Sequence, residues 1–405
     1  MTMKKILALL LTAVMVLSLA PLALADDVVE IEFQFHKNET DAINGMTAVI
    51  DAFNAENPGI HVNMNTAGNV EAMVARSQQN DLPDVFSCVT SNTFELMFQA
   101  GQLMDLSGQA FLDNVEGTTL ALSAFEGKNW RLPYSLSCYG LYVRTDIFEE
   151  QGLALPTTWE ELMDVCEKLM AAGIYPFANP DKDMVYQRME RMMSMLADND
   201  DEFKAIAAGE LNPRDSKVLS AYAQASLDIA KYTNPLSAGA GYDESYQMLL
   251  KGEAAMTING QWSLGTLLNF NPDLKIAMIP LPNPTGEQSN VIVSIDTSFV
   301  ISSKTKHPEE CLKFLAYLAQ TDVAQKYTDI EGSPNVIKGV VYSVKELEKI
   351  NDAMAAGHTA LSLNAIWPSG LRKSLGEYAT NLIVDKNLDA FYDEAQYTIE
   401  DYYNK

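Results

Sequence analysis

The sequence predicts an α/β fold in two lobes, each a mostly parallel sheet flanked by helices. Two observations predict it. Between Val28 and Cys88, strand-like and helix-like periods alternate, a βαβ rhythm that lays helices over the faces of a parallel sheet. The chain also has 405 residues, more than one compact hydrophobic core accommodates.

The elements follow in order. Met1 to Ala25 reads as an export signal: Lys4 and Lys5 open it, Ile6 to Leu24 is almost unbroken apolar sequence, and Ala23-Leu24-Ala25 precedes Asp26, a small-x-small pattern that predicts cleavage after Ala25. An uncleaved anchor is the alternative, because the run is long enough to span a bilayer. No Cys follows the signal, so no lipid anchor is expected, and no second long apolar run occurs. Val28 to Phe35 alternates as a strand does, and His36 to Thr40 is its exit loop. Asp41 to Ala55 carries a helical stripe at Ile43, Met46, Val49, Ile50 and Phe53. Asn57-Pro58-Gly59 stops it before strands at Ile60 to Met64 and Asp84 to Cys88.

Leu132 to Thr145 is a long strand-like run with Tyr134, Tyr139 and Tyr142. Thr157-Thr158-Trp159-Glu160-Glu161 reads as an N-cap followed by first-turn acids, opening a helix through Met170. Met184 to Leu196 and Ser216 to Lys231 are further helices. The methionines between Arg188 and Met195 read as core filling, although thioethers also suit Cu(I). Ala254 to Ile258 is a short strand ended by Asn259-Gly260. Lys275 to Pro282 leaves the second lobe, and Val291 to Ile301 returns to the first ahead of a helix from Pro308 to Gln320. Gly332-Ser333-Pro334 reads as the last hinge, with Val340 to Lys405 helical. The expected lobes are 26–136 with 284–331, and 137–283 with 332–405, joined by a multi-strand hinge.

Composition narrows the function. Fifty-four acidic residues oppose 28 basic ones, a formal net charge of −26, which argues against nucleic acid and anionic lipid partners. The four cysteines form no C-x-x-C pair and read as small hydrophobes, with a Cys88–Cys138 disulfide as the alternative. No H-E-x-x-H, G-x-S-x-G or phosphate-cradling glycine loop is present, and the four histidines are scattered. Paired carboxylates can hydrolyse glycosides, but nothing in the spacing brings two together. The run Asp198 to Glu202 lacks the glycine and spacing of an EF-hand loop. No enzyme, cofactor or metal is expected.

The most informative segment is K-G-E-A-A-M-T-I-N-G-Q-W, Lys251 to Trp262. It sets a Trp just past the carboxyl end of a strand, where open α/β sheets bind ligands. An indole there offers a broad apolar face with one N–H, suited to a sugar ring or another flat, partly polar solute. A Trp filling a core gap fits the same residues.

This segment resembles the strand-plus-aromatic signature of the family 1 extracellular solute-binding proteins of ABC importers, the maltose-binding-protein-like group. Four further stretches resemble that family in the same order: F-N-A-E-N-P-G-I-H-V from Phe53, D-L-P-D-V-F-S from Asp81, L-P-Y-S-L-S-C-Y-G-L-Y from Leu132, and S-K-T-K-H-P-E-E-C-L-K-F-L from Ser303. The resemblance implies a type II periplasmic-binding-protein-like fold. It implies a monomer, periplasmic or extracellular, that closes on a carbohydrate ligand and presents it to the permease subunits of the transporter.

It also implies a site. Trp262 is the stacking platform of the second lobe, beside Gln261, and Trp367 in N-A-I-W-P-S is a second aromatic wall. His36, Asn38 and Glu39 lie in the loop where relatives place polar contacts. Ser91 follows the Asp81 motif, Ser137 and Tyr139 mark the first crossing, and Tyr186 is a further aromatic candidate. Asp296, in S-I-D-T-S, stands where many relatives run through glycines; it would accept sugar hydroxyls or favour a cation. A peptide, polyamine or other amine ligand is therefore the alternative, followed by a secreted glycosidase.

Overall fold

The computed structural model describes residues 28–403 except 67–69, 90–91, 198–200, 362, 364–366 and 368. The expected signal at 1–25, Ser91 and most of the 198–202 run therefore lie outside the described residues. One sheet path carries the molecule. Its strands are β1 (Val29–Gln34), β2 (Ile60–Asn65), β3 (Val85–Cys88), β4 (Leu132–Arg144), β5 (Tyr175–Phe177), β6 (Ala254–Gly260), β7 (Ile276–Ile279), β8 (Val291–Ile301) and β9 (Thr359–Leu361). They run in the order β2-β1-β3-β8-β4-β6-β5, with β7 paired to β4 and β9 to β8.

Parallel pairing holds for β1 with β2 and β3, for β5 with β6, and for β8 with β9. Every antiparallel pairing between these strands involves β4 or β8; the pairings away from them are parallel. The cause is topological: β4 and β8 are the strands that traverse the molecule. β4 lies against β8 from Leu132↔Phe299 to Tyr139↔Ile292, and its far half pairs with β6 from Tyr139↔Gly260 to Val143↔Met256. A register shift at Ser135 admits a third segment, where Leu136 N–H donates to Pro334 O and Val336 N–H to Tyr134 O.

Packing partitions the chain. One cluster holds Phe33, Phe53, Tyr134, Phe299, Phe314, Tyr327, Val336 and Ile337. The clusters of the other lobe hold Tyr139, Phe177, Met192, Met193, Met195 and Ile292, and Cys138, Met278, Val291 and Leu347. The methionine-rich stretch is core filling: Met189, Met192, Met193 and Met195 are fully buried. Core membership changes inside β8, between Val293 and Phe299, and again between Val340 and Tyr342. Gly332 (φ 79°) ends the helix Thr321–Glu331.

Local chemistry explains where two of the helices begin and end. The helix Thr40–Glu56 buries Ala42, Gly45, Met46, Val49, Ile50 and Phe53, and Asn57 N–H closes it on Phe53 O. The helix Trp159–Ala171 starts from a capping box in which Thr158 and Glu161 satisfy each other's backbone donors. The Cys88–Cys138 disulfide is not formed; both thiols are free. Cys88 pairs with Ser298 and Cys138 with Val293 on opposite flanks of β8, five residues or roughly 17 Å apart along the strand, well beyond disulfide reach.

Candidate functional site

The site is built on the turn after β6. Tyr142 Oη donates to the carbonyls of Gly260 and Gln261, both at 3.2 Å, which fixes the chain as it enters the helix Trp262–Phe270. That helix buries Ser263, Leu264 and Leu267. Its other face, Trp262, Gly265, Thr266, Asn269 and Phe270, lines a cleft of about 240 Å³. Trp262 stands edge-on to Tyr139 with ring centroids 5.0 Å apart. The Arg191 guanidinium lies 3.9 Å from the Tyr139 centroid and 5.1 Å from that of Trp262, so a cation already lies against both rings.

Across the cleft stand Lys37, Glu39, Thr40, Asp41 and Ala42, with Glu331 towards the hinge. The lobes touch here: Asn269 Nδ2 donates to Asp41 Oδ2 at 3.3 Å. A Cβ at Gly265 would meet the same oxygen at 2.8 Å, so a larger residue there would make the Asp41 carboxylate shift.

Behind the cleft, Lys37 Nζ lies 2.5 Å from Asp296 Oδ2 and 2.6 Å from Glu331 Oε1, and all three side chains are largely buried. Burial disfavours the Lys37 ammonium, but the two carboxylates outweigh it and hold its pKa well above the ordinary value. Burial likewise pushes Asp296 up, and Lys37, His36 and the bonds from Lys37 and Thr297 bring it below the usual carboxylate range. His36 is lowered to about 4, chiefly by burial, with Asp296 opposing and Lys37 adding to the effect. Its Nδ1 lies 2.7 Å from Ser87 Oγ, and its backbone N–H donates to that same oxygen at 2.9 Å.

One buried polar chain then ties all three crossings together. Glu331 accepts from Ser333 N–H and Oγ, and Ser333 Oγ accepts from Gln261 Nε2 at 3.0 Å. Gln261 Oε1 accepts from Cys138 N–H at 2.9 Å. Asp296 on β8, Ser333 beside the third segment and Cys138 on β4 thus share one network with Lys37.

The expected site residues divide. Trp262 and Glu39 line the cleft; Tyr139, His36 and Asp296 form its supporting layer, and Asn38 is an exposed member of the loop. Ser137 Oγ bonds Ser294 Oγ at 2.7 Å within the hinge. Gln261, expected as a ligand contact, is buried and its amide is spent on the hinge network. Trp367 is corrected outright: it is 1% exposed, its Nε1 donates to Phe203 O at 2.9 Å and its ring packs edge-on to Phe203, which makes it core. Tyr186 falls on the helix Asp181–Leu196, but its side chain, like Ser91, lies outside the described residues. Lys37, Asp41, Asn269, Phe270, Arg191 and Glu331 were missed. Phe270 and Asn269 were readable from the helical spacing after Trp262; Lys37 and Glu331 gain their roles only by long-range packing.

Among the described residues no cluster of three His, Cys, Asp or Glu side chains could hold a metal, and no helix is long and apolar enough to cross a membrane.

Comparisons with known proteins agree with this architecture. Residues 36–325 match the family model described as bacterial extracellular solute-binding protein. The multiple sugar-binding protein of Streptococcus mutans is 26% identical over 78% of this chain and 77% of that protein. The melibiose/raffinose/stachyose-binding protein MelE of Bacillus subtilis is 21% identical over 86% of this chain and 83% of its own length. Among solved structures, the apo form of RafE from Streptococcus pneumoniae superposes with a TM-score of 0.79 at 23% identity, covering 93% of this chain and 98% of that one. RafE in complex with raffinose gives a TM-score of 0.81, also at 23% identity, over 93% and 100% of the two chains.

Proposed function

We propose that this chain, which belongs to the family of bacterial extracellular solute-binding proteins, is the sugar receptor of an ABC importer. It captures a sugar or oligosaccharide between its lobes and delivers it to a membrane permease. The observation that carries this reading is the cleft itself, with the Trp262 face of one helix set against Lys37 and Glu39 to Ala42 of the other lobe. A sugar's apolar face suits the indole. Its hydroxyls suit the Asn269 amide and above all Glu39 and Asp41, because bonds to carboxylates are the stronger ones. The sugar specificity of the S. mutans and B. subtilis relatives supports the same class.

Mechanism follows from geometry. A solute that touches both lobes favours the closed state by its differential affinity, and the population shifts accordingly. β4, β8 and the segment beside Ser333 are the hinge that such closure would bend. Export through Met1–Ala25 with cleavage after Ala25, action as a monomer outside the cytoplasm, docking on permease subunits and the absence of catalysis complete the proposal.

Asp296, Glu39 and the acidic balance of the chain favoured an amine ligand. The Asp296 carboxylate is 2.5 Å from Lys37, which also holds Glu331 at 2.6 Å, so Asp296 is already paired within the protein, while Glu39 and Asp41 line the cleft.

The test is calorimetry and thermal shift with mono- and oligosaccharides, set against spermidine, putrescine and short peptides. Saturable binding of a sugar, with a raised melting temperature, is expected. Binding of an amine or peptide with no response to any sugar would overturn the reading.

A further inference from the structure

We propose that Arg191 is a positioning residue for sugar binding: its guanidinium, set between Tyr139 and Trp262, holds the indole in its ligand-ready orientation before any sugar arrives. The proposal rests on the receptor reading above and adds to it what keeps the platform in place.

Three separate elements meet at the indole. Tyr139 comes from β4, Trp262 opens the helix that follows β6, and Arg191 comes from the helix Asp181–Leu196. That last helix is anchored by Met189, Met192, Met193 and Leu196, buried at i, i+3, i+4 and i+7. Arg191 stands on the other side of the helix from this stripe and is half-buried, so a fixed element carries its head to the two rings. The rings stand at 80° to each other, and the guanidinium lies 3.9 Å from the Tyr139 centroid and 5.1 Å from that of Trp262. A flat cation that stacks on aromatic faces fits such a corner.

The role follows from the placement. Trp262 is among the described residues that line the cleft, and Arg191 is not, so the cation backs the indole rather than facing the sugar. Tyr142 fixes the backbone beside the ring, and Gly260 leaves the ring room at the strand end. Both permit the orientation; neither holds it. Tyr139 adds an edge-on contact, and the cation attracts both rings. An indole free to turn must be ordered when the sugar binds, at a cost in affinity that a held one avoids.

The test uses the exported protein labelled with 5-fluorotryptophan, in which four indoles report and Trp262→Phe and Trp367→Phe assign two of the resonances. Without sugar, the Trp262 resonance is expected to relax like that of the enclosed Trp367 in the wild type and to depart from it in Arg191→Ala. Calorimetry with raffinose, maltotriose and xylotriose is expected to show binding weakened roughly fivefold by Arg191→Ala. Should Arg191→Ala fail to fold, Arg191→Met reads both quantities, because it keeps an apolar stem without the cation. Weakened binding with unchanged relaxation would place Arg191 on the sugar itself and overturn the positioning role. Unchanged binding overturns it as well, whatever the relaxation, while the receptor reading stands. If the wild type binds no sugar, the receptor reading falls and this role falls with it.

Discussion

The six-membered ring of Trp262 occupies the space that a side chain at Gly260 would need. A Cβ built on Gly260 comes within 2.1 Å of Trp262 Cζ3 and 2.2 Å of Cη2. The last residue of β6 and the first of the following helix are thus fitted to each other, and the glycine is what lets the indole lie back over the strand end. Gly260→Ala must push the ring away. It is expected to cost about 1–3 kcal/mol of stability through overpacking and to weaken sugar binding as Trp262→Ala does. Wild-type affinity in Gly260→Ala, measured by calorimetry, would show that the indole's position is irrelevant to the ligand.

Lys37 holds two largely buried carboxylates together. Lys37→Met leaves Asp296 and Glu331 facing each other without a cation, a loss of about 3–5 kcal/mol for a broken buried pair. Thermal unfolding should report a large fall in Tm, partly recovered by adding Asp296→Asn. A Tm unchanged in the single variant, or lowered further in the double, would contradict the network.

His36 sets a pH dependence. Its folded pKa is about 4, below the ordinary value near 6.5, so the unfolded chain binds this proton first. Its contribution is complete above pH 6.5 and declines as pH falls towards 4, by up to about 3 kcal/mol. Asp296, held below its ordinary value, adds stability that is lost only at still lower pH. His36→Gln should therefore show a flatter Tm profile than the wild type between pH 6.5 and 4. Parallel profiles would mean that the imidazole is not held neutral.

Trp367 offers the opposite control. Its indole is enclosed and its N–H is bonded to Phe203 O. Trp367→Ala should cost about 3–5 kcal/mol, whereas the sugar dissociation constant of folded Trp367→Phe should match the wild type. A tenfold weaker binding by Trp367→Phe with intact folding would return this residue to the site.

The legibility of the chain follows the range of the interactions. The α/β class, the first three strands and Trp262 beyond β6 were readable, because periodicity and turn residues act over a few positions. The direction of β4 and β8 was not, since a strand's partners are chosen by tertiary packing; the same β-period serves parallel and antiparallel neighbours. Trp367 failed because burial, not residue type, separates a platform from a core filler. Gln261 and Lys37 belong to a network assembled from residues far apart in sequence, which no local pattern encodes.

The central claim is closure of the two lobes on a sugar held against Trp262. Small-angle scattering of the exported protein, with and without a saturating trisaccharide that binds by calorimetry, tests it most directly. A smaller radius of gyration on binding is expected, abolished at the same sugar concentration in Trp262→Ala. Saturated sugar binding with an unchanged scattering profile, or closure undiminished in Trp262→Ala, would contradict it.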